Sequence, residues 1–138
     1  MQSSPSRRPV LTWVIAAVAI VFGALTLKEG GAVLFGDGTA RTAAGSFVPF
    51  VVWFNFLAGF AYVVAGVGLW LQRRWAAWLA IGIVAATAVV FATFGLHVLT
   101  GGAYEARTAG AMALRTLVWA VIAVLAWRMA ASRSGAAR

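Results

Sequence analysis

Four long apolar stretches constrain this chain more than any other feature. They cover roughly residues 10–27, 47–71, 75–99 and 109–127, and each approaches the ~20 helical residues needed to cross a ~30 Å hydrocarbon core. Inside lipid the backbone must satisfy its own hydrogen bonds, which favours an α-helix in every stretch. Charged residues form only 10% of the 138 residues, against about 25% in soluble domains. The sequence therefore predicts an integral membrane protein.

The connections between the stretches define the predicted topology. The second and third stretches are joined only by Gln-Arg-Arg at 72–74, which forces an antiparallel hairpin because so short a segment cannot span the bilayer. Glycine-rich segments mark the other two breaks. We predict an all-α fold, an integral membrane antiparallel four-helix bundle of four transmembrane helices. It forms a single transmembrane domain over 1–138, with outer loops at 28–46 and 100–108 and an inner loop at 72–74.

Basic residues are distributed unevenly between the two ends of this predicted bundle. One end carries Lys28, Arg41 and Arg107 with all three acids, and the other carries Arg7, Arg8, Arg73, Arg74, Arg128, Arg133 and Arg138. Arginine-rich segments stay in the cytoplasm, so both termini are predicted to lie inside. Tryptophans beside these arginines suit the same interface: Trp13, Trp70, Trp75, Trp78 and Trp127. Arginine outnumbers lysine ten to one, as in GC-rich bacteria, so we predict a multi-pass protein of a bacterial cytoplasmic (inner) membrane.

Small residues are predicted to mark the packed faces of the helices. At 100° per residue the second helix gathers one polar and small-residue arc: Asn55, Ala58, Gly59, Tyr62, Ala65 and Gly66. The corresponding stripe on the first helix is Thr12, Ala16, Ala19, Gly23 and Thr26, and on the third it is Ala77, Ala85, Ala88, Ala92 and Gly95. Membrane helices associate through such residues because backbones can approach closely there. The aromatic and aliphatic arcs should then meet lipid.

Arg115 is a permanent cation within the last apolar stretch. Counting 1.5 Å per residue from Thr108 puts it ~10 Å inside the membrane, and the same count from Phe47 puts Asn55 ~12 Å deep. Three interpretations are open: the arginine extends to the lipid headgroups, it forms a structural hydrogen bond with Asn55 or a loop carbonyl, or it binds a ligand or ion. Trp119, one turn deeper, could stack under the guanidinium. A ligand site would comprise Asn55, Tyr62, Arg115 and Trp119.

Polar residues are also concentrated at the predicted outer rim, namely Glu29, His97, Tyr104, Glu105 and Arg107. His97 and Glu105 could bind a divalent cation or transfer protons, which makes them weak metal candidates. The structural interpretation is that His97 is an interfacial residue near a glycine stop and that Glu105 pairs locally with Arg107. We favour it because His97 faces away from the small-residue stripe, and we predict no metal.

Composition excludes several kinds of chemistry. The chain has no cysteine and a single histidine, so it can form neither a disulfide nor a thiolate metal site, and it cannot hold a bis-histidine haem alone. No acid lies deep in a predicted span, as a small multidrug exchanger would require. The basic residues form short clusters between apolar runs rather than a continuous surface, so nucleic-acid binding is not expected. We predict no catalytic residue and no cofactor.

Three classes of function are compatible with these features. The first is a non-catalytic packing or accessory protein that forms a homo-oligomer or joins a larger membrane complex through its Ala/Gly faces. The second is a module that binds or translocates a small solute, an anion or protons through Asn55, Tyr62 and Arg115. In size and four-span layout the chain also resembles the broad DoxX-like group of bacterial proteins. That resemblance rests on layout alone and transfers no residues. The third class is therefore a DoxX-like membrane redox- or metal-associated protein, which would use His97, Glu105 and Arg115.

Overall fold

The computed structural model describes residues 7–136, with side chains from Val10 onward, and over this range it is entirely helical apart from turns. The helices are α1 (Arg7–Phe35), α2 (Thr39–Ala44), α3 (Pro49–Trp70), α4 (Arg74–Leu99) and α5 (Ala106–Gly135). Four of them are long and apolar enough to span a membrane, which agrees with the predicted all-α chain with four candidate spans. Arg138 and the side chains of Arg7 and Arg8, used above for orientation, lie outside the described part.

The hairpin between α3 and α4 is as tight as predicted. Gln72 adopts a left-handed conformation with φ 54°, and the Arg73 amide donates to the Gly68 carbonyl at 2.9 Å. Such a bond satisfies a carbonyl that the end of a helix would otherwise leave without a partner. A similar closure ends α4, where the Gly102 amide donates to the His97 carbonyl at 2.9 Å. These turns hold α3, α4 and α5 antiparallel to their neighbours.

The first helix is longer than the predicted first span. The sequence predicts a span over 10–27 and a loop from 28, whereas α1 continues through Lys28 and Glu29 to Phe35. The extension packs against α3, since a Cβ on Gly30 would lie only 3.2 Å from Cβ of Phe56. Two charged residues and a glycine pair look like a loop in sequence, yet a helix tolerates them where its other face stays packed.

The α1–α3 pair packs at close range, as its small residues predict. A Cβ added to Gly23 would lie 2.9 Å from the Gly59 carbonyl oxygen, and one added to Gly66 would lie 3.1 Å from the Ala16 carbonyl oxygen. The whole predicted stripe of α1 is buried: Thr12, Ala16, Ala19, Gly23 and Thr26. On α3, the predicted arc is buried from Gly59 onward, while Asn55 and Ala58 are half-buried. Both predicted faces are confirmed.

The predicted face of α4 is mostly wrong. Of its stripe only Ala77 is buried, Gly95 is half-buried, and Ala85, Ala88 and Ala92 are exposed. The residues that α4 does bury are Ala76, Ala77, Ala80, Ile83, Thr87 and Phe94. The physical reason is the size of what lies opposite, because Trp119 of α5 and Tyr62 of α3 are both fully buried against this helix. α4 therefore buries the larger side chains of Ile83, Thr87 and Phe94, and only near its start do alanines make the contacts.

Around the bundle the order is α1, α3, α4, α5, and the ring is incompletely closed. α1 packs extensively on α3, α3 on α4, and α4 on α5, whereas α1 and α5 scarcely touch. One contact between them is at the end near the chain termini, where the Thr12 hydroxyl donates to Sδ of Met129 at 3.2 Å. Toward the other end they leave a gap on the α1–α5 side.

The two ends of the bundle differ in chemistry. We call the end formed by 28–48 and 100–108 the acid-bearing end, because it holds Glu29, Asp37 and Glu105, and the end formed by 71–74 and 127–136 the arginine-rich end. Exposed tryptophans surround the arginine-rich end in ring pairs, with Trp13 5.4 Å from Trp70 and Trp78 5.2 Å from Trp127. Interfacial rings of this kind are expected where a bundle meets headgroups.

Candidate functional site

A cavity of about 440 Å³ opens at the acid-bearing end, on the incompletely closed α1–α5 side. We call it the α1–α5 cavity. Its walls come from α1, α3 and α5, and α2 covers it: Lys28, Glu29, Ala32, Val33, Ala40, Ala43, Ala44, Phe47, Val51, Val52, Asn55, Glu105, Arg107, Thr108 and Ala111. Most of this surface is apolar. The charged groups lie at the rim, and Asn55 supplies an amide in the α3 wall.

The extension of α1 beyond the predicted span brings two charged residues into the cavity wall. Had α1 ended at Leu27, Lys28 and Glu29 would belong to a loop; on the helix they face α2 and α5 across the opening. Glu29 also interacts electrostatically with Arg115. The rim therefore presents both signs of charge to anything that enters.

Glu105 and Arg107 fix the cover of the cavity rather than each other. A side-chain oxygen of Glu105 accepts from the Ser46 amide at 2.9 Å, and Nη2 of Arg107 donates to the Ala43 carbonyl at 2.9 Å. Gly45, with φ 65°, leaves space that the Glu105 carboxylate fills. The expected local pair between Glu105 and Arg107 is thus wrong. Their hydrogen-bond partners are instead backbone groups of α2 and of the segment that follows it, namely the Ala43 carbonyl and the Ser46 amide.

Further bonds hold α2 against the end of α1. Arg41 donates from Nε to the Val33 carbonyl and from Nη2 to the Leu34 carbonyl, both at 3.2 Å. These carbonyls belong to the last turn of α1, where a cation is favourable. The Asp37 carboxylate accepts from the Thr39 amide at 3.0 Å, and this bond lowers the pKa of Asp37. The cover is consequently anchored to both α1 and α5.

Arg115 lies below the cavity and points into the bundle. Its Nε and Nη1 atoms are buried and have no hydrogen-bond partner among the described residues. The guanidinium carbon lies 5.7 Å from the ring centre of Phe22, on α1. A hydrogen bond to Asn55 is therefore contradicted, because the Asn55 Oδ1 atom also has no partner among the described residues. The expected stacking on Trp119 is also wrong, because the guanidinium crosses the gap toward the ring of α1 instead.

Four buried groups form what we call the polar cluster: Tyr62, Thr87, Arg115 and Trp119. The rings of Tyr62 and Trp119 lie 4.7 Å apart with an interplanar angle of 33°. The Tyr62 hydroxyl interacts electrostatically with Arg115 and lies close enough to the Thr87 hydroxyl for a weak hydrogen bond. Within the described range the Trp119 ring nitrogen has no hydrogen-bond partner, and the Tyr62 and Thr87 hydroxyls have none besides each other. The cluster joins α3, α4 and α5 at the centre of the bundle.

Asn55 connects the cavity with the polar cluster. It is one of the cavity-lining residues, and its buried Oδ1 atom also lacks a partner in the described structure. Tyr62 lies two turns further along the same face of α3, ~10 Å away, and Ala111 of the cavity wall lies one turn from Arg115, ~6 Å. The deep end of the cavity thus approaches the cluster along two helices.

So many buried polar groups without partners are unusual. Native proteins pair most of them, and each one left unpaired costs about 1–3 kcal/mol, with charged groups costing more. Donors predominate, since arginine and tryptophan only donate, whereas tyrosine and threonine hydroxyls can do both. A group that accepts several hydrogen bonds and carries negative charge would complement this set best. Sequence reasoning identified three members but missed Thr87 and Phe22, because a threonine or phenylalanine within an apolar helix carries no distinguishing signal.

The remaining rim candidates lie apart from the cavity. Nε2 of His97 donates to the Ala103 carbonyl at 3.1 Å, and its ring packs against Phe50 at 6.2 Å. Tyr104 packs edge-on against Phe94 at 6.0 Å. Neither residue belongs to the cavity wall. Among the described residues no three of His, Cys, Asp and Glu come close enough to hold a metal ion together.

The chain matches no protein-family model, no curated protein and no solved structure.

Proposed function

We propose that this chain is a membrane-embedded module that binds or translocates a small anion, with the α1–α5 cavity as the entrance and Arg115 as the selecting group. The observation that supports this most directly is the burial of two guanidinium nitrogens without partners. A buried cation is strongly unfavourable unless it is paired. An arginine kept in such a position suggests that its partner is a ligand rather than a side chain.

The surroundings of Arg115 suit an anion better than a cation or a neutral solute. The Tyr62 hydroxyl, which interacts electrostatically with Arg115, can donate, and so can the Trp119 ring nitrogen and the Thr87 hydroxyl of the same cluster. At the rim the positive charges of Lys28 and Arg107 offset the negative charges of Glu29 and Glu105, so the opening does not strongly favour either sign of charge. Selection by charge would then occur deeper, at Arg115, where the low dielectric strengthens the attraction.

The proposed orientation places the cavity outside the cytoplasm. The positive-inside rule puts the arginine-rich end in the cytoplasm, so the acid-bearing end would face the opposite side of a bacterial inner membrane and both termini would lie inside. The cavity would then sample the extracytoplasmic solution or the outer leaflet. Labelling of intact cells by an antibody or a biotinylation reagent tests this arrangement, because a tag at either terminus of the protein should be inaccessible from outside.

The function itself is tested with purified protein in vesicles and in detergent. Chloride, acetate and inorganic phosphate are each added as the probe, with binding read from tryptophan fluorescence and transport from anion-dependent K⁺ efflux in the presence of valinomycin. Arg115→Leu should lose the response while still inserting as a helical protein. Arg73→Leu is the matched control and should retain it, because Arg73 is exposed and does not line the α1–α5 cavity. Identical responses in both variants would remove the proposal.

A packing or accessory role is the second candidate, supported by the outward stripe of α4. Ala85, Ala88 and Ala92 are exposed, and a Cβ at Gly82 or Gly95 would meet nothing within 4 Å. A second copy or another membrane helix could approach closely here. Native mass spectrometry of the full chain tests this role. An oligomer that Ala88→Leu converts to a monomer would support it, and a wild-type monomer at all concentrations would eliminate it for self-association.

A further inference from the structure

Two further cavities lie between α4 and α5 at the arginine-rich end, remote from the α1–α5 cavity. The shallower one, of about 270 Å³, is lined by Arg74, Ala77, Trp78, Trp127, Ala130, Ala131 and Ser134. The deeper one, of about 410 Å³, is lined by Trp78, Ile81, Ala123, Val124, Trp127 and Arg128. Because both share Trp78 and Trp127, they form one continuous surface, which we call the α4–α5 groove.

The two tryptophans divide the groove into a polar part and an apolar part. Their rings meet edge-on at 5.2 Å, and both are about half exposed. Toward the chain terminus the groove holds Arg74 and Ser134; toward the bundle centre, apart from Arg128 at its edge, it holds only aliphatic side chains. Indole rings prefer the depth at which headgroups meet acyl chains, so the division coincides with that boundary.

Charge in the groove is positive and uncompensated by acids. A guanidinium nitrogen of Arg74 donates to the Ser134 hydroxyl, which bridges the two helices and holds the cation over the shallow part. Arg128 is exposed beside the deeper part. All three acids of the chain lie at the acid-bearing end. Each of these arginines suits phosphate oxygens because a guanidinium can donate two parallel hydrogen bonds.

We propose that the α4–α5 groove binds an anionic phospholipid, with its phosphate between Arg74 and Arg128 and one acyl chain along Ile81, Ala123 and Val124. Charge complementarity specifies the headgroup, and the apolar depth specifies that the ligand is an amphiphile, since free phosphate would leave that part of the groove unused. Basic pockets between transmembrane helices at the cytoplasmic side bind such lipids. The proposal does not depend on anion binding at Arg115.

The test uses the full chain in mixed micelles containing equal amounts of phosphatidylglycerol and phosphatidylcholine. Native mass spectrometry should show phosphatidylglycerol retained preferentially by the wild type. In Arg74→Gln/Arg128→Gln its apparent affinity should fall by about fivefold per arginine removed. Arg73→Gln is the matched control, because Arg73 is an exposed neighbour of Arg74 that does not line the groove. It should bind like the wild type.

Several outcomes would overturn the proposal. Equal retention of the two lipids by the wild type would do so, and so would an equal loss in Arg73→Gln, which would indicate a diffuse basic surface. Displacement of the lipid by inorganic phosphate would assign the site to a soluble anion. Should the double variant fail to fold, Arg74→Gln and Arg128→Gln are measured singly, and wild-type retention of phosphatidylglycerol in both would also overturn the proposal. Phosphatidylglycerol with brominated acyl chains should quench a smaller fraction of the tryptophan fluorescence in Trp78→Phe/Trp127→Phe than in the wild type. Each fraction is taken relative to the same protein in unbrominated lipid.

Discussion

The α1–α3 pair and the α4–α5 pair solve the same packing problem in different ways. In the first, glycines let two backbones approach until a single added Cβ would touch a carbonyl oxygen. In the second, Trp119 and Met112 are fully buried and separate the helices, while the glycines of α4 face open space. Small residues therefore bring helices together only where the opposing face is small as well. The polar cluster lies where these two kinds of packing meet.

The largest effect should come from filling the close contact of α1 and α3. In Gly23→Leu the side chain meets Val63 and the Gly59 carbonyl within 3 Å, so we expect destabilisation of about 3 kcal/mol, the upper end of overpacking costs. Thermal unfolding followed by circular dichroism in detergent measures it. Gly82→Leu is the control, since Gly82 has no neighbour within 4 Å. Comparable losses in both variants would contradict the difference between the two pairs.

Removing the ring that separates α4 from α5 should have the next largest effect. Trp119→Ala leaves a cavity at a fully buried position, and we expect the free energy of unfolding to fall by about 2 kcal/mol. This lies below the range for soluble proteins, because a side chain that loses its packing in a membrane is exposed to lipid rather than to water. Trp78→Ala, exposed on the same pair, should change stability by less than about 0.5 kcal/mol. Chemical unfolding in mixed micelles distinguishes them. If Trp119→Ala were as stable as the wild type, α4 would have closed onto α5 without the ring, and the difference between the two pairs would be contradicted.

The two helix pairs also show which packing faces could be predicted from the sequence and which could not. The stripe Ala16–Ala19–Gly23 on α1 and the arc Gly59–Gly66 on α3 could be read correctly because each is small and faces another small surface. The stripe of α4 could not, since what lies opposite is decided by Tyr62 and Trp119 on other helices. Four long helices follow from hydropathy, whereas the continuation of α1 to Phe35 depends on tertiary contact with Phe56.

The candidate site was predictable in part for a similar reason. The inward direction of Arg115, Tyr62 and Trp119 follows from helical phase and appears in the structure. The partners do not follow from phase. Arg115 lies over Phe22 rather than Trp119, and Glu105 binds the Ser46 amide rather than Arg107. Such contacts depend on how loops and neighbouring helices close, which no local pattern in this sequence records.

Arg115→Met sharpens the comparison at the junction of the two pairs. Without added anion the variant should be more stable than the wild type by about 1 kcal/mol, because a partly buried guanidinium, two of whose nitrogens lack hydrogen-bond partners, is replaced by an apolar chain of similar length. Saturating anion should raise the melting temperature of the wild type but leave that of the variant unchanged. Differential scanning fluorimetry with and without chloride measures both. A variant less stable than the wild type in anion-free buffer would show that Arg115 is a packing residue of the bundle.

The smallest effect is expected at α2, the cover of the α1–α5 cavity, which connects α1 to α3 along the chain. The hydrogen bond from the Thr39 amide lowers the pKa of Asp37 from its ordinary value of 3.8. A carboxyl with a depressed folded-state pKa contributes stability above its unfolded-state pKa and loses that contribution as pH falls through the folded-state value. The start of α2 should therefore loosen only below about pH 3.8. Because Asp37 is fully exposed, the change should be confined to α2, and the amide resonance of Thr39 should report it.

Asp37→Asn keeps an oxygen acceptor but cannot titrate, so its Thr39 resonance should stay constant over the same range. A shift of equal size in that variant would assign the titration to another group.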